Sequence, residues 1–475
     1  MVVAVLALTG CASTASTTTS RHGVPSQTQA AVWSGASTIA PPANAQSAQG
    51  LRVSGVACPS SGPCIAVGSF KDSAGDEQPM AVSETGGVWG HASEITLPPN
   101  SNPSAGFEGV ACAGSASCVA VGGYEDNAGD GQAMVASETG GVWGHASEIT
   151  PPPNAASNAA ADLNRVACSK SGSCVAVGAY KDGAGDLQLM VDSETGGVWG
   201  SAIEVTPPPD AESSPSGDLD LTGAACPASG PCVAVSGYKD SSGGEQSMVV
   251  TEMGVASQLT APESGSASVH FDGVACAPSG SCVAVGDYED ALTKDHAMAV
   301  SETGGVWGRA SEIMLPPNAA SNPAAGTPSL KGVACAVSGS CVAVGFYEDS
   351  AGDGQAMVVS EKGGTWGPAR ELAPPANAEH PGAELSKVAC VPSGSCVAVG
   401  DYDVSSGEGQ RPMVVSETGG VWGHASELTL PPDANSNPDA SLNSVACSSS
   451  GSCAAVGSYR DNAGHGQLMG ASRGA

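Results

Sequence analysis

Seventeen cysteines carry the most conspicuous chemistry in this chain of 475 residues. Sixteen of them fall into eight pairs with five residues between members: Cys58/Cys64, Cys112/Cys118, Cys168/Cys174, Cys226/Cys232, Cys276/Cys282, Cys335/Cys341, Cys390/Cys396 and Cys447/Cys453. Such a pair can bridge or bind zinc. A zinc site needs four ligands, hence two pairs or added histidines. The eight histidines do not recur with the pairs. The segments between cysteines, such as CPSSGPC and CAPSGSC, are turn-forming, and β-forming GVA and VAVG flank them. Each pair is therefore expected at the stems of a hairpin, on facing non-hydrogen-bonded positions close enough to bridge. Each bridge closes a small loop and adds about 2 kcal/mol in the entropy model. All of them require an oxidising compartment.

Carboxylates are the second candidate chemistry. In the loops YEDNAGDGQ and YEDSAGDGQ, Asp126 with Asp130 and Asp349 with Asp353 could offer oxygens to Ca²⁺. The denser D-x-D-x-D-G spacing is missing. Other copies read YKDSSGGEQ, YDVSSGEGQ and YRDNAGHGQ, which is the composition of a solvated hairpin turn. A hydrolase needs two carboxylates at a set separation with different pKa values, and a repeated sequence singles out no such pair. The eight arginines recur at no position expected to converge on a symmetry axis. No phosphate-cradling loop, dinucleotide fingerprint or Ser/His/Asp set stands out, so no cofactor is expected.

The charge balance narrows the partners. Lys+Arg number 16 against 47 Asp+Glu, a net charge of −31. Nucleic acid and anionic lipid are both excluded as general partners, because each needs a basic surface.

The elements that position these residues follow from an internal repeat. The first cysteines recur about every 56 residues, with units starting near 51, 106, 162, 219, 269, 329, 384 and 441. The unit from Phe107 to Asn154 parses into four short strands: one ending at Cys112, Cys118 to Tyr124, Ala133 to Glu138, and one from near Val142 to near Ile149. Turn-forming AGSAS, EDNAGDG and TGG separate them, with no helical periodicity. Four strands per unit of this length make a β-propeller blade. Tyr124, Tyr180, Tyr238, Tyr288, Tyr347, Tyr402 and Tyr459 share one slot, taken by Phe70 in the first unit. Tryptophans mark the fourth strand. Both sets are expected as wedges between diverging blades.

Trp33 lies upstream of the first unit in AVWSGASTIAPP, which matches the fourth-strand sequence GVWGHASEITLPP. The last unit ends at GQLMGAS without a fourth strand. The expected fold is therefore all-β: an eight-bladed β-propeller over 30–475 with four-stranded antiparallel blades, the last completed by the N-terminal strand Val32 to Ile39. Closure removes the free edges. One unit reads TEMGVASQL at Thr251–Leu259, without the tryptophan and with a shorter turn, which is drift or a notch for a partner.

Ser137-Glu138-Thr139-Gly140-Gly141-Val142-Trp143 resembles a degenerate Asp-box, the S-x-D-x-G-x-x-W turn of BNR (sialidase-like) propeller repeats, with threonine in place of aspartate. The run CVAVG…MVVSETGG is also similar to photosystem-assembly-factor-like propellers. The resemblance implies the propeller fold. Sialidase-like enzymes use an arginine cluster, a tyrosine nucleophile and acidic partners; here every tyrosine occupies the repeated slot.

Residues 1–11, MVVAVLALTGC, read as an export signal ending in a lipobox-like Leu8-Thr9-Gly10-Cys11, with Cys11 the lipidation site. No Lys or Arg precedes the apolar run, so a charged start is expected upstream. Residues 12–29 suit a polar tether. The expectation is an extracytoplasmic, lipid-anchored or secreted monomer, touching membrane only through its lipid. It would bind a protein or glycan on an acidic face formed by the loops and Pro/Asn-rich connectors. The alternatives are an extracellular sialidase-like glycoside hydrolase or lyase and, more weakly, an assembly factor for a membrane complex.

Overall fold

A computed structural model describes Met1 and residues 32–474, apart from 47–49, 115–116, 213–218, 264–265, 267, 322–327, 337–338, 379–381 and 405–408. Cys11 and the tether lie outside the described residues. Every regular element among the described residues is a β-strand, and no helix there is long and apolar enough to cross a membrane.

The third unit shows how the sequence builds a sheet. Asp162–Cys168, Cys174–Lys181 and Leu187–Thr195 run antiparallel in that order. The fourth strand, expected as one piece, is split. Val198–Trp199 pairs with Glu194 and Thr195, and Ile203–Glu204 pairs with Met190 and Val191. Gly200 still donates to the Ser193 carbonyl at 3.3 Å, and the ladder lapses just after it, where Ala202 donates to Thr150 of the preceding unit instead. The turn TGG follows from its glycines: Gly196 and Gly197 have φ of 64° and 84°, and a two-residue hairpin turn of this hand needs positive φ at both positions.

Side chains alternate across a strand, and here both faces are covered. Val175, Val177 and Val191 pack against Leu221, Cys232, Ala234 and Tyr238 of the fourth unit. Cys174, Ala176, Tyr180 and Met190 pack against Val119, Val121, Val135 and Ile149 of the second. This explains the unbroken apolar run CVAV, since a sheet covered on both sides shows no polar alternation. The slot tyrosines sit in these inter-unit cores, each no more than 3% exposed.

Neighbouring units are also linked along their outer strands. The amides of Ala146, Ala202, Ala256, Ala310, Ala369 and Ala425 donate to Thr96, Thr150, Thr206, Thr260, Met314 and Ala373 of the preceding unit. Ala92 of the first unit donates to Ala40 at 2.8 Å, and Ala36 donates to Thr429 of the seventh at 2.8 Å. The segment holding Ala36 and Ala40 is the N-terminal strand. Ser37–Thr38 pairs antiparallel with Gly466–Arg473, Trp33 bridges Arg473, and Ile39 donates to Leu468 at 2.9 Å. Ile39, Phe70, Ala454, Val456 and Leu468 share one core, so the first and last units pack together. Repeated antiparallel sheets stacked face to face in this way make a β-propeller-like fold.

Candidate functional site

All eight cysteine pairs are disulfides: Cys58 with Cys64, Cys112 with Cys118, Cys168 with Cys174, Cys226 with Cys232, Cys276 with Cys282, Cys335 with Cys341, Cys390 with Cys396, and Cys447 with Cys453. Their Cα atoms lie 3.9–4.2 Å apart. In six pairs the two cysteines face each other in the ladder, as expected. The expectation is corrected for Cys58 with Cys64 and for Cys226 with Cys232. There the ladder stops one residue short, at Ala57 opposite Ile65 and Ala225 opposite Val233. The reason is local: these two turns, CPSSGPC and CPASGPC, put proline both after the first cysteine and before the second, and proline has no N–H to give the ladder. On its other side Cys64 lies opposite the buried Glu84 of the third strand, whereas Cys453 lies opposite Arg473. Cys64 and Cys453, like the other second members, are buried among apolar side chains.

The first strand of each unit carries the same irregularity. Its register with the second strand shifts at the third and fourth residues before the first cysteine, as between Leu163 and Arg165 and between Leu385 and Lys387. The shift is a β-bulge, which adds a residue and re-aims side chains. It also explains the glycine of VAVG: a Cβ at Gly178 would run into the carbonyl of Asp162, displaced by the bulge.

The bulges converge. Leu51–Val56, Glu108–Val110, Arg165, Thr222, Lys387 and Asn443–Ser444 line one cavity of about 490 Å³. A second cavity, about 570 Å³, is lined by Cys58, Cys112, Cys168, Cys226, Cys276, Cys335, Cys390 and Cys447, the first member of every pair. The centre of the molecule is thus small and repetitive at the disulfide end and charged and non-repeating at the bulges.

No arginine position recurs around the cavity, but Arg52 and Arg165 each line it once. Arg165 and Lys387 occupy the slot that is Gly55, Gly109, Gly223, Gly273, Gly332 or Ser444 in the other units. Arg165 Nε donates to the Thr222 carbonyl at 3.2 Å and Nη1 to that of Asn164 at 2.9 Å. Lys387 Nζ donates to the Lys331 carbonyl at 3.3 Å. Lys331 instead pairs with Asp272 at 3.0 Å. Burial, then repulsion from Arg165, holds the Lys387 ammonium below the ordinary lysine value, and burial lowers the Arg165 guanidinium.

The carboxyls around the same inner strands are shifted upward. Burial, reinforced by Glu108, raises Asp162 to about 6. Burial raises Asp287 to about 6 although Ser329 donates to it at 2.6 Å. Burial, then Glu384 and Asp403, raise Asp401 to about 7. A signal for the charged cavity wall, though not for these three carboxyls, was present in the sequence: the third and fourth residues before each first cysteine change between Gly, Ser, Thr, Asn, acidic and basic, beside neighbours that stay apolar.

The loop aspartates are placed differently. Asp126 Oδ1 accepts from the amides of Ala128 at 2.8 Å and Asp130 at 3.0 Å, and Oδ2 from Gln132 at 3.3 Å. Asp349 repeats this with Ala351, Asp353 and Gln355. The amide of Asp130 holds Asp126 below the usual carboxylate range. Among the described residues no group of three His, Cys, Asp or Glu could hold a metal. These loops pack beside the connectors, since Ala155 bridges Asp182 and Ala434 bridges Asp461.

The tyrosine hydroxyls are committed to that packing. Tyr347 donates to Asn318 at 3.0 Å and Glu371 at 2.7 Å, and Tyr402 to Asn377 and Glu427. Burial raises Tyr180 to about 12. In the SETGG turn at Ser301–Gly305, and in SEKGG at Ser360–Gly364, the buried glutamate accepts from two amides. Glu361 accepts from the amides of Gly364 and of Cys341, the latter at 3.2 Å, and Glu302 does the same for Gly305 and Cys282. The shortened turn at Thr251–Val255 keeps its fourth strand, Ala256–Gln258.

No protein-family model and no curated protein matches the chain. Among solved structures, it is similar to an ulvan lyase of polysaccharide lyase family 25 (9% identity, TM-score 0.39, covering 81% of this chain and 92% of that one). It is also similar to Trypanosoma rangeli sialidase in complex with the inhibitor DANA (10%, TM-score 0.36, 81% and 56%). A third is the fungal lectin from Aleuria aurantia, a six-bladed β-propeller (11%, TM-score 0.32, 66% and 93%).

Proposed function

We propose that the protein is a non-catalytic binding or scaffolding module, displayed outside the cytoplasm on a lipidated Cys11 and built as a closed eight-bladed β-propeller with degenerate Asp-box turns. Eight disulfides support an oxidising location. Closure is supported by outer-strand hydrogen bonds that pass from each unit to the one before and return through Ala36 and Ala40. In this reading Asp126, Asp130, Asp349 and Asp353 serve their turns, and the chain is a monomer.

One observation carries binding over hydrolysis. The tyrosines that could act as nucleophiles are buried between units with their hydroxyls committed to asparagine and carboxylate partners, whereas the charged, non-repeating wall of the central cavity speaks for the enzyme. A carbohydrate hydrolase or lyase is the second reading, favoured by the upshifted Asp162, Asp287 and Asp401, because perturbed carboxyls cluster at catalytic sites. Incubation with neutral and uronate-containing polysaccharides separates the two. Retention of a polysaccharide without new reducing ends or unsaturated products is expected. Turnover abolished by Asp287→Asn would establish the enzyme instead.

A further inference from the structure

We infer that the bulge-lined central cavity seats a compact oxyanion, a carboxylate, sulfate or phosphate group, between Arg165 and Lys387. The inference rests on the binding reading and names the chemistry of the ligand.

The argument begins with scarcity. Cations are outnumbered 47 to 16, so a carboxylate could have been placed beside each one. Lys331 has Asp272 at 3.0 Å, and Arg52 has Glu108 at 3.8 Å. Arg165 and Lys387, among the described residues, have no carboxylate oxygen within ion-pair distance. Their recorded partners are main-chain carbonyls, two for Arg165 and one for Lys387. A guanidinium offers five N–H donors and an ammonium three, so donors remain on both.

Both side chains line the same cavity although they come from the third and seventh units. Two like charges brought together in a partly dry space repel, and burial penalises each. Asp220, Glu108 and Asp162 attract Arg165 and Asp272 attracts Lys387, but none forms an ion pair with them, and the fold does not require either charge, because glycine or serine fills the same slot in six other units. An anion between them would remove the repulsion and supply charge-assisted hydrogen bonds to the guanidinium fork. Thr222, Asn443 and Ser444 add neutral polar groups to the wall. About 490 Å³ admits the head group with an attached ring, within the ordinary range for small-ligand sites.

The test uses the full chain with its disulfides formed. Inorganic sulfate, inorganic phosphate and glucuronate are titrated calorimetrically at low ionic strength, with glucose as the neutral control. At least one oxyanion is expected to bind at one site, with affinity falling as salt rises. Arg165→Gly and Lys387→Ser, which copy the slot residues of other units and so should melt like the parent, are each expected to weaken it tenfold or more. Binding of glucuronate alone assigns the anion to a sugar acid. Binding of the inorganic ions assigns the site to the head group. Absence of saturable binding by every oxyanion, or affinity unchanged in both variants, overturns the inference. If a polysaccharide is still retained by both variants, the binding reading survives that failure, whereas polysaccharide turnover ends the binding reading itself.

Discussion

Asp401, Asp287 and Asp162 sit on or beside inner strands where burial holds their carboxyls at about 7, about 6 and about 6. In the unfolded chain an aspartate titrates near ~4. Between that value and the folded one, the native state keeps a proton that the unfolded state has lost. Stability therefore falls as pH rises through this window and levels off above about 7. The slope for each carboxyl is at most ~1.4 kcal/mol per pH unit. The expected outcome is a higher melting temperature at pH 5.5 than at pH 8, with a shallower slope for Asp401→Asn. A melting temperature that instead climbs with pH across this range would contradict the assigned shifts. The residue scale is also where the sequence was hardest to read. Arg165 and Lys387 are single departures within a repeat, and their slot looks like a tolerant glycine position until the bulge shows where it points.

At the scale of elements, the hairpins and turns were legible because their chemistry is local. Five residues rich in Pro, Ser and Gly between two cysteines determine a bridged hairpin, and TGG determines a turn with positive φ at Gly140 and Gly141, 62° and 87°. The split of the fourth strand was not legible, since GVWGHASEI reads as one run and its break depends on pairing with the third strand at two separate places. The role of the SETGG glutamate was missed for a related reason. Its second acceptor contact is to the amide of the second cysteine, across the sheet from its own turn. Glu361→Ala strips an acceptor from two amides, and the expected loss is about 1–3 kcal/mol. Urea denaturation reads it as a lower midpoint, and Glu361→Gln should recover part of the loss. An unchanged midpoint for the alanine variant would show the turn to be self-sufficient.

At the scale of the molecule, the surplus fourth strand at one end and the deficit at the other meet in one sheet: Ser37 opposite Gly470 and Thr38 opposite Met469. Ile39 is fully buried in the core shared by first and last units. Ile39→Ala, which leaves every other unit untouched, is expected to cost about 2–5 kcal/mol, measured as a fall in the urea midpoint. A dispensable N-terminal strand would leave the midpoint in place. Repeat period, turn positions and bridge partners were determined by the sequence alone, because each arises from contacts within a few dozen residues that recur unit after unit. What the centre contains was decided only by tertiary structure. The cavity wall takes residues from six units, far apart in the chain, and a bulge rather than strand alternation sets which of them face it.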